Sequence, residues 1–154
     1  IFEKLDHLDL SMNKLKIIKR NDFAPLRHLR SLNLSHNEIK QIEENILVST
    51  FVYFLDLSYN FLEIFLDGMF KNILRLVYLN LSYNCLKFID LDYKKVYFMS
   101  TTLLQNNQLE KFPNLYLKDF FDLNLSNNKI KIIEKNQLVD ILKLRILDLG
   151  LNEL

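Results

Sequence analysis

Leu5-Asp6-His7-Leu8-Asp9-Leu10-Ser11-Met12-Asn13 decides how this chain is read. The stretch is L-x-x-L-x-L-x-x-N. Aligned on its asparagine it recurs six times, ending at Asn37, Asn60, Asn84, Asn107, Asn128 and Asn152, at intervals of 24, 23, 24, 23, 21 and 24 residues. A fixed short period marks a solenoid, in which each repeat buries its apolar side only by stacking on its neighbours. Within the stretch, Leu8-Asp9-Leu10 alternates with period two, which predicts a short strand with its leucines inward. Strands that recur at one interval and run the same way pair in parallel, and each parallel pair needs a crossover. The return from Leu15 to Arg27 supplies it, and its greater length bends the stack so that the strands line the concave side. The predicted class is an α/β solenoid: a horseshoe with a parallel β-sheet on the concave face and irregular or short helical convex segments.

Working outward, the first repeat continues with Leu15, Ile18, Phe23 and Leu26, and Ile46 and Phe70 take the Phe23 position in the next two. One solenoid over residues 1–154 is expected, with repeats starting near Leu5, Leu29, Val52, Leu76, Met99, Phe120 and Leu144. The fourth repeat has a weaker return half, around Tyr93 and Val96, and the sixth recovers the pattern through to Ile141. The fifth departs most: Met99 and Thr102 replace leucines, Leu103 fills a polar slot, and the return half shrinks around Phe112-Pro113. Phe2 reads as the tail of a preceding repeat and Asn152-Glu153-Leu154 as a repeat cut before its return half, so both ends are expected to be truncated and uncapped. The asparagine amide can accept from one backbone N–H and donate to another carbonyl. Asn13, Asn37, Asn60, Asn84, Asn107, Asn128 and Asn152 are therefore expected to stack as a buried structural ladder.

Nearly half of the 154 residues are apolar and a quarter are charged, which is folded-protein composition. A net charge of +1 gives no reason to expect nucleic acid or an acidic membrane as partner. No run approaches the roughly 20 apolar residues of a membrane span. Glycine and proline together number four, so the turns are expected to be built by asparagine and aspartate.

With these motifs in place, the chain resembles the extracellular, so-called typical, class of leucine-rich repeat proteins, which includes the ectodomains of Toll and Toll-like receptors, chaoptin and slit. The resemblance covers the whole chain and rests on the seven registered asparagines, the near-24 period and the phenylalanines Phe23 and Phe70. It implies a cell-surface or extracellular recognition module. The chain departs from that class in lacking cysteine-rich caps.

No catalytic constellation stands out, so the chain is not expected to be an enzyme, and neither metal nor cofactor is expected. His7, His28 and His36 are the only histidines and have no ligating partners at metal-site spacing. The single cysteine, Cys85, reads as an incidental small side chain. Three sequons arise from the repeat, at Asn33, Asn80 and Asn124, and can accept glycans if the chain is secreted.

A binding surface is sought in positions that the repeat leaves free. One column reads His7, Ser31, Phe54, Tyr78, Thr101, Asp122, Ile146, and another Met12, His36, Tyr59, Tyr83, Asn106, Asn127, Leu151. Both turn aromatic in repeats three and four, so Phe54, Tyr78, Tyr59 and Tyr83 are expected to form one patch, with His36 beside it, as the candidate site for a protein ligand or co-receptor. The competing reading is cross-strand stacking that serves only the sheet. A column of Lys16, Lys40, Glu63, Lys87, Glu110 and Lys131 reads as a solvated edge. The function expected is non-catalytic recognition in an extracellular receptor or adhesion protein, in innate immunity or cell adhesion. The alternative is a regulatory or scaffold repeat region of an intracellular multidomain protein.

Overall fold

A computed structural model describes residues 2–47, 51–70, 76–91, 100–115, 121–138 and 143–154. The expected positions Tyr93, Val96, Met99, Phe120 and Ile141 lie outside the described residues, as does the side chain of Phe70.

Seven three-residue strands make one parallel sheet in sequence order: His7–Asp9, Ser31–Asn33, Phe54–Asp56, Tyr78–Asn80, Thr101–Leu103, Asp122–Asn124 and Ile146–Asp148. The register is without slip. His7, Ser31, Phe54, Tyr78, Thr101, Asp122 and Ile146 stand side by side, and so do the residues that follow them. Six of the seven strands end in an Asx turn; the fifth, ending at Leu103, is equally short without one. The side-chain oxygen at the third strand position accepts from the N–H two residues on, as in Ser11 to Asp9 at 2.8 Å, Ser58 to Asp56 at 2.8 Å and Ser126 to Asn124 at 2.9 Å. Aspartate and asparagine thus do the turning that glycine does elsewhere.

The return halves are irregular and short-helical, with 3-10 turns at Asp67–Phe70 and Lys135–Gln137. They also carry short parallel strands that the sequence pattern does not announce: Ile17–Ile18 beside Gln41–Ile42, and Ile64–Leu66, Phe88–Leu91 and Asn114–Leu115 in a second small sheet. Successive repeats of equal length bring these segments into register as a by-product of the main sheet.

The core lies between the two sets of strands. Leu32, Leu34, Leu55, Leu57, Leu79, Leu81, Leu123 and Leu125 are wholly buried. Each such side chain contributes about 1.5–3 kcal/mol by leaving water. Phe23 and Ile46 are buried in the same structural position. In the fifth repeat Thr102 is buried where leucine stands elsewhere, and Phe112 fills the position of Ile18 and Ile42. The outermost leucines, Leu5, Leu8, Leu10, Leu144, Leu147 and Leu149, are only partly covered.

The asparagine ladder links repeats backwards. Asn60 accepts at Oδ1 from the Ile39 N–H at 2.9 Å, and its Nδ2 donates to the Leu34 carbonyl of the preceding repeat at 3.0 Å and to its own Leu57 and Ser58 carbonyls at 3.1 Å. Asn37, Asn84, Asn107 and Asn128 repeat this arrangement and, with Asn60, are buried. The expectation of seven buried rungs needs correcting at the ends. Asn13 is exposed and bonds only to its own Leu10 and Ser11 carbonyls, because no described strand precedes His7 to offer the other partners. Asn152 keeps the backward bonds to Ile130 and Leu125 but is only half-buried.

Candidate functional site

The column Met12, His36, Tyr59, Tyr83, Asn106, Asn127, Leu151 sits at the turn out of each strand. All seven residues adopt the left-handed backbone conformation, with φ of 56°, 53°, 54°, 54°, 58°, 52° and 56°. In the first six, that conformation aims the N–H forward at a carbonyl of the next repeat. Tyr59 reaches Ser82 at 3.0 Å and Tyr83 reaches Gln105 at 3.0 Å. L-residues adopt it reluctantly. Asparagine tolerates it, whereas for bulky side chains it is an outlier that costs on the order of 1 kcal/mol or more. Asn106 and Asn127 are what the backbone asks for, and histidine also suits it, whereas Met12, Tyr59, Tyr83 and Leu151 are outliers. By its letters alone the column is free of the repeat's demands. The two asparagines in it were the available signal of a left-handed position.

The aromatic side chains divide into two stacks with no described ring contact between them, so the single patch expected from the sequence is two parallel ridges. In the first, His36 stacks on Tyr59 with ring centroids 4.1 Å apart and planes 10° from parallel, and Tyr59 stacks on Tyr83 at 4.2 Å and 7°. In the second, Phe54 stacks on Tyr78 at 4.4 Å and 3°. In-register parallel strands lie about 4.8 Å apart, so identical positions carry their rings face to face. The faces are turned to one another, leaving edges and hydroxyl groups to solvent. Tyr59 and Tyr83 each keep 43% of their surface exposed, while Phe54 and Tyr78 are half-buried.

The two tyrosine hydroxyls are held in their neutral form. Burial, then the hydrogen bond with Tyr83, pushes the Tyr59 hydroxyl above the ordinary tyrosine value. Burial, then the Asp56 carboxylate, does the same to Tyr78. Both remain protonated donors at neutral pH. Asp9 is held below the usual carboxylate range by the Ser11 hydroxyl and N–H, and the Asn33 amide assists. On the solvated edge, Lys87 lies 2.9 Å from Glu63, lowering the carboxyl and raising the amine.

The three sequon asparagines differ. Asn33 and Asn80 donate through Nδ2 to Asp9 at 3.3 Å and Asp56 at 3.1 Å. Asn124 stands between Leu103, whose side chain has no acceptor, and Asp148, and its Nδ2 donates to no described residue. Among the described residues no three of His, Cys, Asp and Glu come together to hold a metal ion, and no helix is long and apolar enough to cross a membrane. Two adjoining hollows of about 440 and 300 Å³ lie on the return side of repeats four to six, lined by both charge signs, including Lys87, Asp90, Glu110, Lys111 and Glu134. They lie away from the aromatic ridges and gather no convergent polar cluster.

Comparison with known proteins bears on the architecture. Residues 2–39 match the family model described as leucine rich repeat. No curated protein matches. Among solved structures, the leucine-rich repeat domain of APL1B aligns with a TM-score of 0.78 at 20% identity, covering 97% of this chain and 48% of that one. TLR13, solved in complex with ssRNA13, aligns with a TM-score of 0.72 at 23% identity, covering 97% of this chain and 27% of that one. This chain therefore spans less than half the length of either. Likeness at these identities speaks to fold alone, and it agrees with what the slip-free register and the asparagine ladder already require: the chain folds as a leucine-rich repeat solenoid.

Proposed function

We propose that this chain is the recognition surface of an extracellular or cell-surface protein, that it binds a protein partner without catalysing a reaction, and that the partner docks on the two aromatic ridges of repeats two to four. One observation carries the site: Tyr59 and Tyr83, stacked with His36 and 43% exposed, occupy left-handed positions where Asn106 and Asn127 show that the fold is served by asparagine. Strain of this kind persists where something other than the backbone requires the side chain. Exposed tyrosine edges with hydroxyl donors suit a protein partner, because rigid amphipathic rings bury area at low entropic cost and are enriched in interface cores.

The extracellular setting is supported by the resemblance to the typical class and by the likeness in fold to APL1B and TLR13. TLR13 carries single-stranded RNA in its complex. For this chain a protein is favoured, because single-stranded nucleic acid is gripped by basic grooves and open ring faces. Here the rings face each other and the net charge is +1. Innate recognition and cell adhesion are the two roles proposed for such a surface.

The test is a screen of the purified chain against displayed extracellular domains, with wild type, the double variant Tyr59→Asn with Tyr83→Asn, and the return-side control Ile132→Ser in parallel. The expected result is a partner held by wild type and the control but weakened at least about tenfold, or ~1.4 kcal/mol, by the double variant. Partners that bind all three alike would refute the site.

A further inference from the structure

The column that ends each strand supplies a second functional distinction. It reads Asp9, Asn33, Asp56, Asn80, Leu103, Asn124, Asp148, and three of its members are sequon asparagines. In the first four repeats it forms paired links: the Asn33 amide donates to Asp9 and the Asn80 amide to Asp56. Asn80 is only 9% exposed, and its Oδ1 is held by both the Ser82 N–H at 3.1 Å and the Ser82 hydroxyl at 2.6 Å. Leu103 breaks the alternation. Asn124 keeps the Ser126 contacts at Oδ1, at 2.9 and 2.7 Å, but its Nδ2 hydrogens meet no described acceptor, and the residue is half-buried rather than enclosed.

N-linked glycosylation joins the Nδ2 nitrogen to the anomeric carbon of an oligosaccharide. That carbon leaves its lipid diphosphate carrier with the bond electrons staying on the diphosphate, and Nδ2 gives up one proton. The folded molecule must then accommodate a sugar where that hydrogen was. At Asn80 the sugar would stand in an enclosed amide that is already bonded, and an orphaned or crowded buried polar group is costly. At Asn33 it would take one of the two amide hydrogens and leave only the other to keep the Asp9 link. At Asn124 it displaces nothing. We infer that Asn124 is the glycan-bearing sequon of this chain, with Asn33 and Asn80 kept as structural amides. This rests on the extracellular reading proposed above. The consequence for recognition is spatial: the glycan stands two strands, about 10 Å, beyond Tyr78 and fences the later repeats of the sheet face, leaving the aromatic ridges open.

The experiment expresses the full chain behind a secretion leader in eukaryotic cells and maps each sequon by mass spectrometry after enzymatic deglycosylation, in secreted and cell-retained fractions alike. The expected result is a single glycan at Asn124. Its mass is lost on Asn124→Gln and, independently, on Ser126→Ala, and it remains on Asn33→Gln. An occupied Asn80, a dominant Asn33, or an empty Asn124 in the wild-type chain would overturn the inference. Each of those results would leave the binding screen unaffected, so the two readings fail separately.

Discussion

Replacing Asn60 by alanine removes four hydrogen bonds yet orphans only one group. The Leu34 carbonyl, which accepts from Asn60, also accepts from the Asn37 amide at 3.1 Å. The Leu57 carbonyl keeps the Asn84 amide at 2.9 Å, and the Ser58 carbonyl keeps the His36 N–H at 3.0 Å. The Ile39 N–H has only the Asn60 oxygen, and Ile39 is wholly buried. The cost is therefore one unsatisfied buried donor, about 1–3 kcal/mol, rather than the sum of four bonds. Asn13→Ala removes an exposed amide whose Leu10 carbonyl is still held by Asn37 at 2.9 Å, so it belongs with surface changes of within about 0.5 kcal/mol. Urea titration of both variants measures the difference. Because repeat arrays are coupled only to nearest neighbours, amide exchange provides the local check: the Ile39 amide loses protection in Asn60→Ala, while amides of the sixth repeat do not. Equal losses for Asn13→Ala and Asn60→Ala, or an Ile39 amide as protected as in wild type, would refute the ladder as the link between repeats.

Two further predictions concern the irregular repeat and the charged edge. Leu103→Asp restores the Asx turn and gives the Asn124 amide an acceptor, so it is expected to stabilise the chain by about 0.5–1.5 kcal/mol, read as a raised urea midpoint; a lowered midpoint would mean that Leu103 is needed for packing. The Glu63 carboxyl titrates below the ordinary glutamate value chiefly because Lys87 bonds it, and Lys87→Ala moves it up toward that value in an NMR titration. The sign follows: the Glu63 contribution is present above the unfolded carboxyl value and is lost as pH falls through the lowered folded one. The Lys87 contribution is present below the unfolded amine value and is lost as pH rises through the raised folded one. The pair therefore acts across the whole neutral range, and a Glu63 titration unchanged by Lys87→Ala would contradict it.

Much of the fold was legible because the repeat writes one physical requirement many times. Leucines at Leu8 and Leu10, an Asx residue at Asp9 and an amide at Asn13 each satisfy a need that recurs every turn, so the register could be read from spacing alone. The small return-side strands escaped because Ile17–Ile18 and Ile64–Leu66 are too short for a period of two to show. Of the site, the aromatic residues were visible by column, but their backbone was not. Nothing in the letters of Tyr59 says that its φ is positive; only its alignment with Asn106 and Asn127 does. The division into two ridges was also out of reach, since it depends on where the strand ends between Phe54 and Tyr59. The difference between Asn124 and Asn80 lies in a neighbour 21 or 24 residues away, Leu103 or Asp56, and appears only once the register is known.

The central claim is that the rings of Tyr59 and Tyr83 are kept for a partner rather than for the fold. A thermal melt of Tyr59→Asn with Tyr83→Asn tests it most directly. The substitution loses two ring stacks, His36–Tyr59 and Tyr59–Tyr83, worth about 0.5–1.5 kcal/mol each. It relieves two strained left-handed residues at about 1 kcal/mol each. The two effects nearly cancel, and since 1 kcal/mol moves the midpoint of a domain this size by about 2–4 °C, the account predicts a midpoint within about 5 °C of wild type with an unchanged sheet signal. A collapse of the melt by tens of degrees would make the stacks structural and contradict the claim.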